Sequence, residues 1–109
     1  MCLGQMLDHA REAASMALGK KRTDLDTDRP LNLSLVRLLE IVGEAASRIP
    51  LPERSRYPDI PWQEILGLRN RLIHGYDSVD FDILWNIVFQ DLPPLIAALE
   101  KALAREGGG

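Results

Sequence analysis

The residues best suited to chemistry in this 109-residue chain lie in one segment, 61–76, which reads Pro-Trp-Gln-Glu-Ile-Leu-Gly-Leu-Arg-Asn-Arg-Leu-Ile-His-Gly-Tyr. Histidine exchanges protons near neutral pH, so His74 is a candidate acid–base group. At the C-terminal end of a helix its protonated form would be favoured by the macrodipole. Arginine presents a planar fork that matches two phosphate oxygens, so Arg69 is a candidate anion ligand. On a helix Arg69 shares a stripe with Trp62, Leu66 and Ile73, where an unpaired charge is expensive. A carboxylate or a substrate phosphate would account for it. Each residue also has a structural reading: His74 as a helix cap, Arg69 as half of an ion pair with Glu44 or Glu64. Asn70 is either a second hydrogen-bonding group of the site or a surface amide.

Other chemistries find little support. There is no Gly-rich phosphate loop. Only two histidines are present, His9 and His74, and the single cysteine is Cys2, so zinc spacing and an intrachain disulfide are both missing. Asp24, Asp26 and Asp28 alternate, but neither a glycine nor a downstream glutamate completes a calcium loop, so no metal or cofactor is expected. Cys2 reads as a terminal residue, His9 as structural, Trp62 and Trp85 as core, and Tyr57 as a loop anchor. No apolar run approaches the ~18–20 residues of a membrane span, and the lone cysteine suits a reducing cytosol. The formal charge is −3, which argues against indiscriminate nucleic-acid binding. Residues 47–76 nevertheless hold five arginines (48, 54, 56, 69, 71) against Glu53, Asp59 and Glu64, a net +2 on a body of −5.

The elements that must position these residues are helical. Leu3, Met6, Leu7, Ala10, Ala14 and Ala17 recur at three- and four-residue steps over 3–18, with Gly19 as the stop. The polar stretch 19–30 reads as a loop, with Lys20, Lys21 and Arg22 as helix-end charge. A second helix over 31–48 carries Leu35, Leu38, Leu39, Val42, Ala46 and Ile49 on one stripe. A proline-rich connector, 50–60, leads to a third helix from Pro61 to about His74, ended by Gly75. Its core side is Ile65, Leu68 and Leu72. Gln63, Gly67, Asn70 and His74 form a small or polar stripe where another surface can approach closely. Ser78 or Asp80 caps a fourth helix over 80–91, apolar almost all round and therefore in need of cover on more than one side. Pro93 and Pro94 predict a break or kink before a last helix over 94–105. Residues 107–109 read as a flexible tail. The whole is one all-α domain, an up-and-down bundle of four to five helices.

Arg69-x4-His74-x-Tyr76 resembles the signature of HEPN domains, and the tyrosine two residues after the histidine resembles the HepT kind in particular. Ile41-Val-Gly-Glu-Ala-Ala46, Ile60-Pro-Trp62 and Asp91-Leu-Pro-Pro-Leu95 resemble that group in order and spacing, so the likeness covers nearly the whole chain. It implies a HEPN-like bundle and a metal-independent endoribonuclease that works as a homodimer. It further implies a toxin of a type VII toxin–antitoxin pair, with Arg69 and His74 catalytic. The partner would be an MNT-type nucleotidyltransferase antitoxin that transfers AMP onto Tyr76.

The chemistry is consistent. Metal-free RNA cleavage needs a base for the 2′-hydroxyl, an acid for the leaving oxygen and positive charge on the phosphate. On an ideal helix Arg69 and His74 point about 140° apart, so one chain alone brings them together poorly. A two-fold axis at the Gln63/Gly67/Asn70/His74 stripe would supply two of each. The alternative is a non-catalytic helical module that binds a nucleotidyltransferase or RNA without cutting it. A small-molecule-binding bundle has no sequence feature in its favour.

Overall fold

The computed structural model describes residues 2–74 and 78–107. Tyr76 and Gly75 fall outside the described residues, as do residues 108 and 109 of the expected tail and the side chains of Cys2 and His74. The elements run α1 (Cys2–Ala17), α2 (Asp24–Thr27), α3 (Arg29–Ser47), α4 (Leu51–Arg54), α5 (Trp62–Leu66), α6 (Leu68–Leu72), β1 (Ile73–His74), β2 (Ser78–Val79), α7 (Phe81–Asn86), a π-helical turn (Ile87–Asp91) and α8 (Leu92–Gly107). The architecture is an all-α bundle, as the periodicity predicts, with one two-residue hairpin set into it.

The frame is α1 against α3, with α8 alongside α1. Met6, Ala10, Ala13 and Ala17 of α1 are buried with Leu35, Leu39, Val42 and Ala46 of α3. The alanines let the two axes come close. Ala13, rather than the expected Ala14, is on the buried stripe. Gly19 takes a φ of 78°, the left-handed conformation that ends α1. The next stretch is more ordered than its polarity suggests: the single turn α2 pushes Leu25 fully into the core. Asp28 then caps α3, accepting the Leu31 N–H at 3.0 Å, and Pro30 lies in the first turn, where its missing N–H costs nothing.

Three further expectations are corrected. The connector 50–60 contains the turn α4, and the third helix is two short ones. Gly67 sits at their junction (φ −89°, ψ 2°) and breaks the helical run. Of the break or kink expected at Pro93 and Pro94, the break does not occur, since the path from α7 into α8 is continuous. Leu92 N–H reaches back five residues to the Ile87 carbonyl, which widens the turn into a π-helix. The prolines thereby fall in the first turn of α8, where no N–H is required.

The molecule measures 46 × 30 × 19 Å. Its thinnest dimension fits two helix layers of about 10 Å each, so the long helices have one face in the core and another open. The apolar segment 80–91 feels this most. Leu84, Ile87 and Val88 are buried, whereas Trp85 is half-covered and Phe89 is 42% exposed, their rings 4.1 Å apart. One chain gives this segment cover on one side only.

Candidate functional site

The site is built where α5 and α6 pack on α3, with the hairpin following α6. Ile65, Leu68 and Leu72 are buried, as the sequence predicts, and they anchor the motif-bearing strand of chain to the core. At the crossing, a Cβ on Gly43 would lie 3.3 Å from the Ile65 carbonyl oxygen, so the close helix approach is at Gly43 of α3. A Cβ on Gly67 would meet only carbonyls of its own turn, at Gln63 and Glu64. Within one chain, therefore, the described residues put no other element against the Gly67 face.

Four residues beyond Ile65, and three residues back along α3 from Gly43, Arg69 meets Glu40. The Arg69 Nε lies 3.7 Å from Glu40 Oε2. Arg69 is 74% exposed and Glu40 24%. Arg69 is thus a solvent-facing cation resting on a mostly buried carboxylate. Its stripe is the open flank of the helix pair, since Leu66 is itself 38% exposed, so the desolvation cost expected for it does not arise. The expected ionic partners are engaged elsewhere or exposed: Glu44 pairs with Arg37 at 3.5 Å, and Glu64 is at the surface. Asn70 is exposed beside Arg69.

His74 is placed differently from the expectation. The helix ends at Leu72, and the backbone of Ile73–His74 pairs antiparallel with Ser78–Val79, His74 opposite Ser78. The Asp80 N–H donates to the Leu72 carbonyl at 3.0 Å, so the hairpin closes directly onto the helix end. Asp80 also caps α7, accepting from the Asp82 and Ile83 N–H groups. The angular offset of two residues on one helix and the macrodipole argument for His74 therefore no longer apply. What relates Arg69 to His74 is a helix-to-hairpin turn.

The other charged candidates have structural duties. Arg71 bonds Asp91 of the π turn at 3.0 Å and pins α6 to that turn. A shallow hollow beside this pair, lined by Ile65, Leu68, Ile87 and Leu95 among others, includes neither Arg69 nor Asn70. Arg22 bonds Asp82 at 2.7 Å and Asp26 at 3.0 Å, and these bonds, Asp82 first, raise its pKa above the ordinary value. Lys21 N–H donates to Asp24. Asp24, Asp26 and Asp28 thus each serve a local contact, and no group of three potential metal ligands forms among the described residues. His9 bonds the Gln5 carbonyl in its own helix. Trp62 donates to the Arg54 and Tyr57 carbonyls, and Tyr57 is buried against Ile60 and the core.

A family profile described as "Ribonuclease HepT-like" matches residues 6–102. This chain belongs to the HepT-like ribonuclease family. The match runs from α1 through α8 and so takes in the whole bundle. Among HepT-like relatives, "Probable ribonuclease HepT" of Thermococcus cleftensis is 40% identical over 78 residues, 72% of this chain and 71% of the relative. "Putative RNase MJ1380" of Methanocaldococcus jannaschii is 33% identical over 98 residues, 90% of each chain. "Putative RNase TTE0752" of Caldanaerobacter subterraneus subsp. tengcongensis is 36% identical over 83 residues, 76% of this chain and 74% of the relative. No solved structure matches.

Glu40 is the site residue that sequence reasoning missed. Gly43 carries the usable signal: a glycine inside a well-formed helix marks the face that another backbone crosses. Glu40 is one turn away on that face, so a carboxylate there is aimed at whatever α6 presents.

Proposed function

We propose that this protein is a metal-independent endoribonuclease of the cytoplasm, acting as a homodimer on RNA and serving as the toxin of a type VII pair. The observation that carries this reading is Arg69. The family's motif arginine stands 74% exposed on the open flank of α6, with an anion-binding fork directed to solvent. Membership of the HepT-like family and relatives named as ribonucleases support the same conclusion.

In this mechanism His74 takes the 2′-hydroxyl proton, and the 2′-oxygen attacks the adjacent phosphorus. The 5′-oxygen leaves with a proton from a second acid, leaving a 2′,3′-cyclic phosphate and a 5′-hydroxyl. His74 of the second protomer provides that acid. Arg69 binds the phosphate and offsets the charge that grows on it, and Asn70 adds a hydrogen bond. The dimer would use the face of Gln63, Gly67 and Asn70, against which the described part of one chain packs nothing. An MNT-type nucleotidyltransferase would silence the enzyme by transferring AMP from ATP to Tyr76. The added anion, two residues from His74, would repel the substrate phosphate.

The deciding experiment incubates purified protein with RNA in EDTA. Wild type should cut. His74→Ala, Arg69→Ala and Arg69→Lys should not, the last because an ammonium does not reproduce the planar fork. A folded His74→Ala protein that cuts as fast as wild type refutes the assignment. A wild type that binds RNA or the transferase but never cuts identifies the non-catalytic module instead.

A further inference from the structure

We propose that Glu40 is a positioning residue for the ribonuclease reaction, holding Arg69 by its inner edge so that the outer edge meets the phosphate. The inference rests on the ribonuclease reading above and adds a residue that the motif does not contain.

The geometry distinguishes the two members of the pair. Glu40 lies in the middle of the 19-residue α3 and is only 24% exposed, so its carboxylate has a fixed place. Arg69 is on the five-residue α6 and is 74% exposed, so its long side chain has few contacts of its own to orient it. The nearest approach is between Nε and Oε2, at 3.7 Å. A guanidinium has two usable edges, one formed by Nε with one Nη and the other by both Nη atoms. A carboxylate on the Nε side leaves the Nη pair for a phosphate. At 3.7 Å the contact is an ion pair longer than a hydrogen bond. Glu40 therefore restrains Arg69 without consuming its donors.

The arrangement has a cost that makes it testable. A carboxylate beside the arginine repels the incoming phosphate as well as steadying the fork. Glu40 should weaken ground-state binding of RNA while favouring the transition state, where orientation of the fork matters most. A residue that merely stabilised the fold would not separate these two effects.

Glu40→Gln removes the charge and keeps the shape. On a single-stranded RNA oligonucleotide its kcat should fall about ten- to a hundredfold, with KM unchanged or lower. Glu40→Asp, which keeps the charge but withdraws it by one methylene, should fall between the two. Independently of catalysis, the Arg69 Nε–H bond should show a higher nitrogen-relaxation order parameter in wild type than in Glu40→Gln, since the ion pair restrains the side chain without a hydrogen bond. An unchanged kcat in Glu40→Gln, or a fall in kcat matched by a rise in KM, overturns the proposal. If wild type cuts no RNA, the ribonuclease reading fails by itself. The Nε–H order parameter then still decides whether Glu40 restrains Arg69, and equal values in wild type and Glu40→Gln overturn that restraint.

Discussion

Gly43→Ala tests whether the site depends on the close crossing of α3 and α5. In an open helix, glycine to alanine stabilises by about 1 kcal/mol, because alanine has less chain entropy to lose. At position 43 the new methyl carbon would lie 3.3 Å from the Ile65 carbonyl oxygen, a backbone atom that cannot rotate away. The α5 segment must yield by a few tenths of an ångström, and overpacking of this kind costs about 1–3 kcal/mol. The balance is a net loss of about 0–2 kcal/mol. A loss of 1 kcal/mol in a domain of this size lowers Tm by about 4–8 °C. The internal control is Gly4→Ala in α1, where a Cβ meets nothing within 4 Å and the helix gain should appear alone, reduced by fraying at the terminus. Both variants are compared with wild type in urea at one protein concentration, since association would make the midpoint concentration-dependent. Because Glu40 lies one turn from Gly43, the displacement should also loosen the Arg69 pair and lower RNA cleavage in Gly43→Ala but not in Gly4→Ala. A Gly43→Ala protein that gains as much stability as Gly4→Ala would show that the crossing has slack and that the reasoning is wrong.

Asn32 is 4% exposed and donates to the Leu25 carbonyl at 2.9 Å, so Asn32→Leu should strand that carbonyl and cost about 1–3 kcal/mol in urea denaturation. After co-expression with a neighbouring nucleotidyltransferase, intact mass spectrometry should find added AMP on wild type and none on Tyr76→Phe; equal addition to both would reject Tyr76 as the acceptor. Light scattering of the purified wild type at micromolar concentration should give twice the chain mass, and a clean monomer would remove the two-fold arrangement of histidines.

Much of the bundle is legible because its signals are local and periodic. Leu35, Leu38, Leu39, Val42, Ala46 and Ile49 all read as one stripe and are all buried. Gly19 and Asp80 end and start helices as their chemistry dictates. Where the reading failed, a contact distant in sequence decided the outcome. Pro93 and Pro94 look like a break until the preceding turn widens, which only the packing of Ile87 and Val88 into the core sustains. The run to His74 looks helical until Ser78–Val79 returns to pair with it. Arg69 looked buried because its neighbours at three- and four-residue steps are apolar, yet Leu66 and Trp62 lie on a flank that a bundle two layers thick leaves open. Its partner, Glu40, lies 29 residues away, and no local pattern joins them.

The basic character of residues 47–76 takes on a different meaning once its arginines are placed. Arg54 donates to the Ile49 and Ser47 carbonyls and closes the connector. Arg56 lies over the Tyr57 ring, 5.8 Å from its centre. Arg71 is matched by Asp91 and Asp59 by Lys101, both partners from outside the segment, so these two pairs leave its net charge as counted along the chain. A broad basic surface would bind any phosphate backbone through counterion release and would be strongly salt-dependent. Here Glu40 stands beside Arg69 and Asp91 beside Arg71, so each arginine of the motif faces a carboxylate. On the ribonuclease reading, such a site would attract RNA weakly from a distance and would engage a phosphate at close range, where the fork fits. That would suit a chain whose overall charge is −3, its selectivity then coming from the geometry of Arg69 and Glu40 rather than from general attraction to nucleic acid.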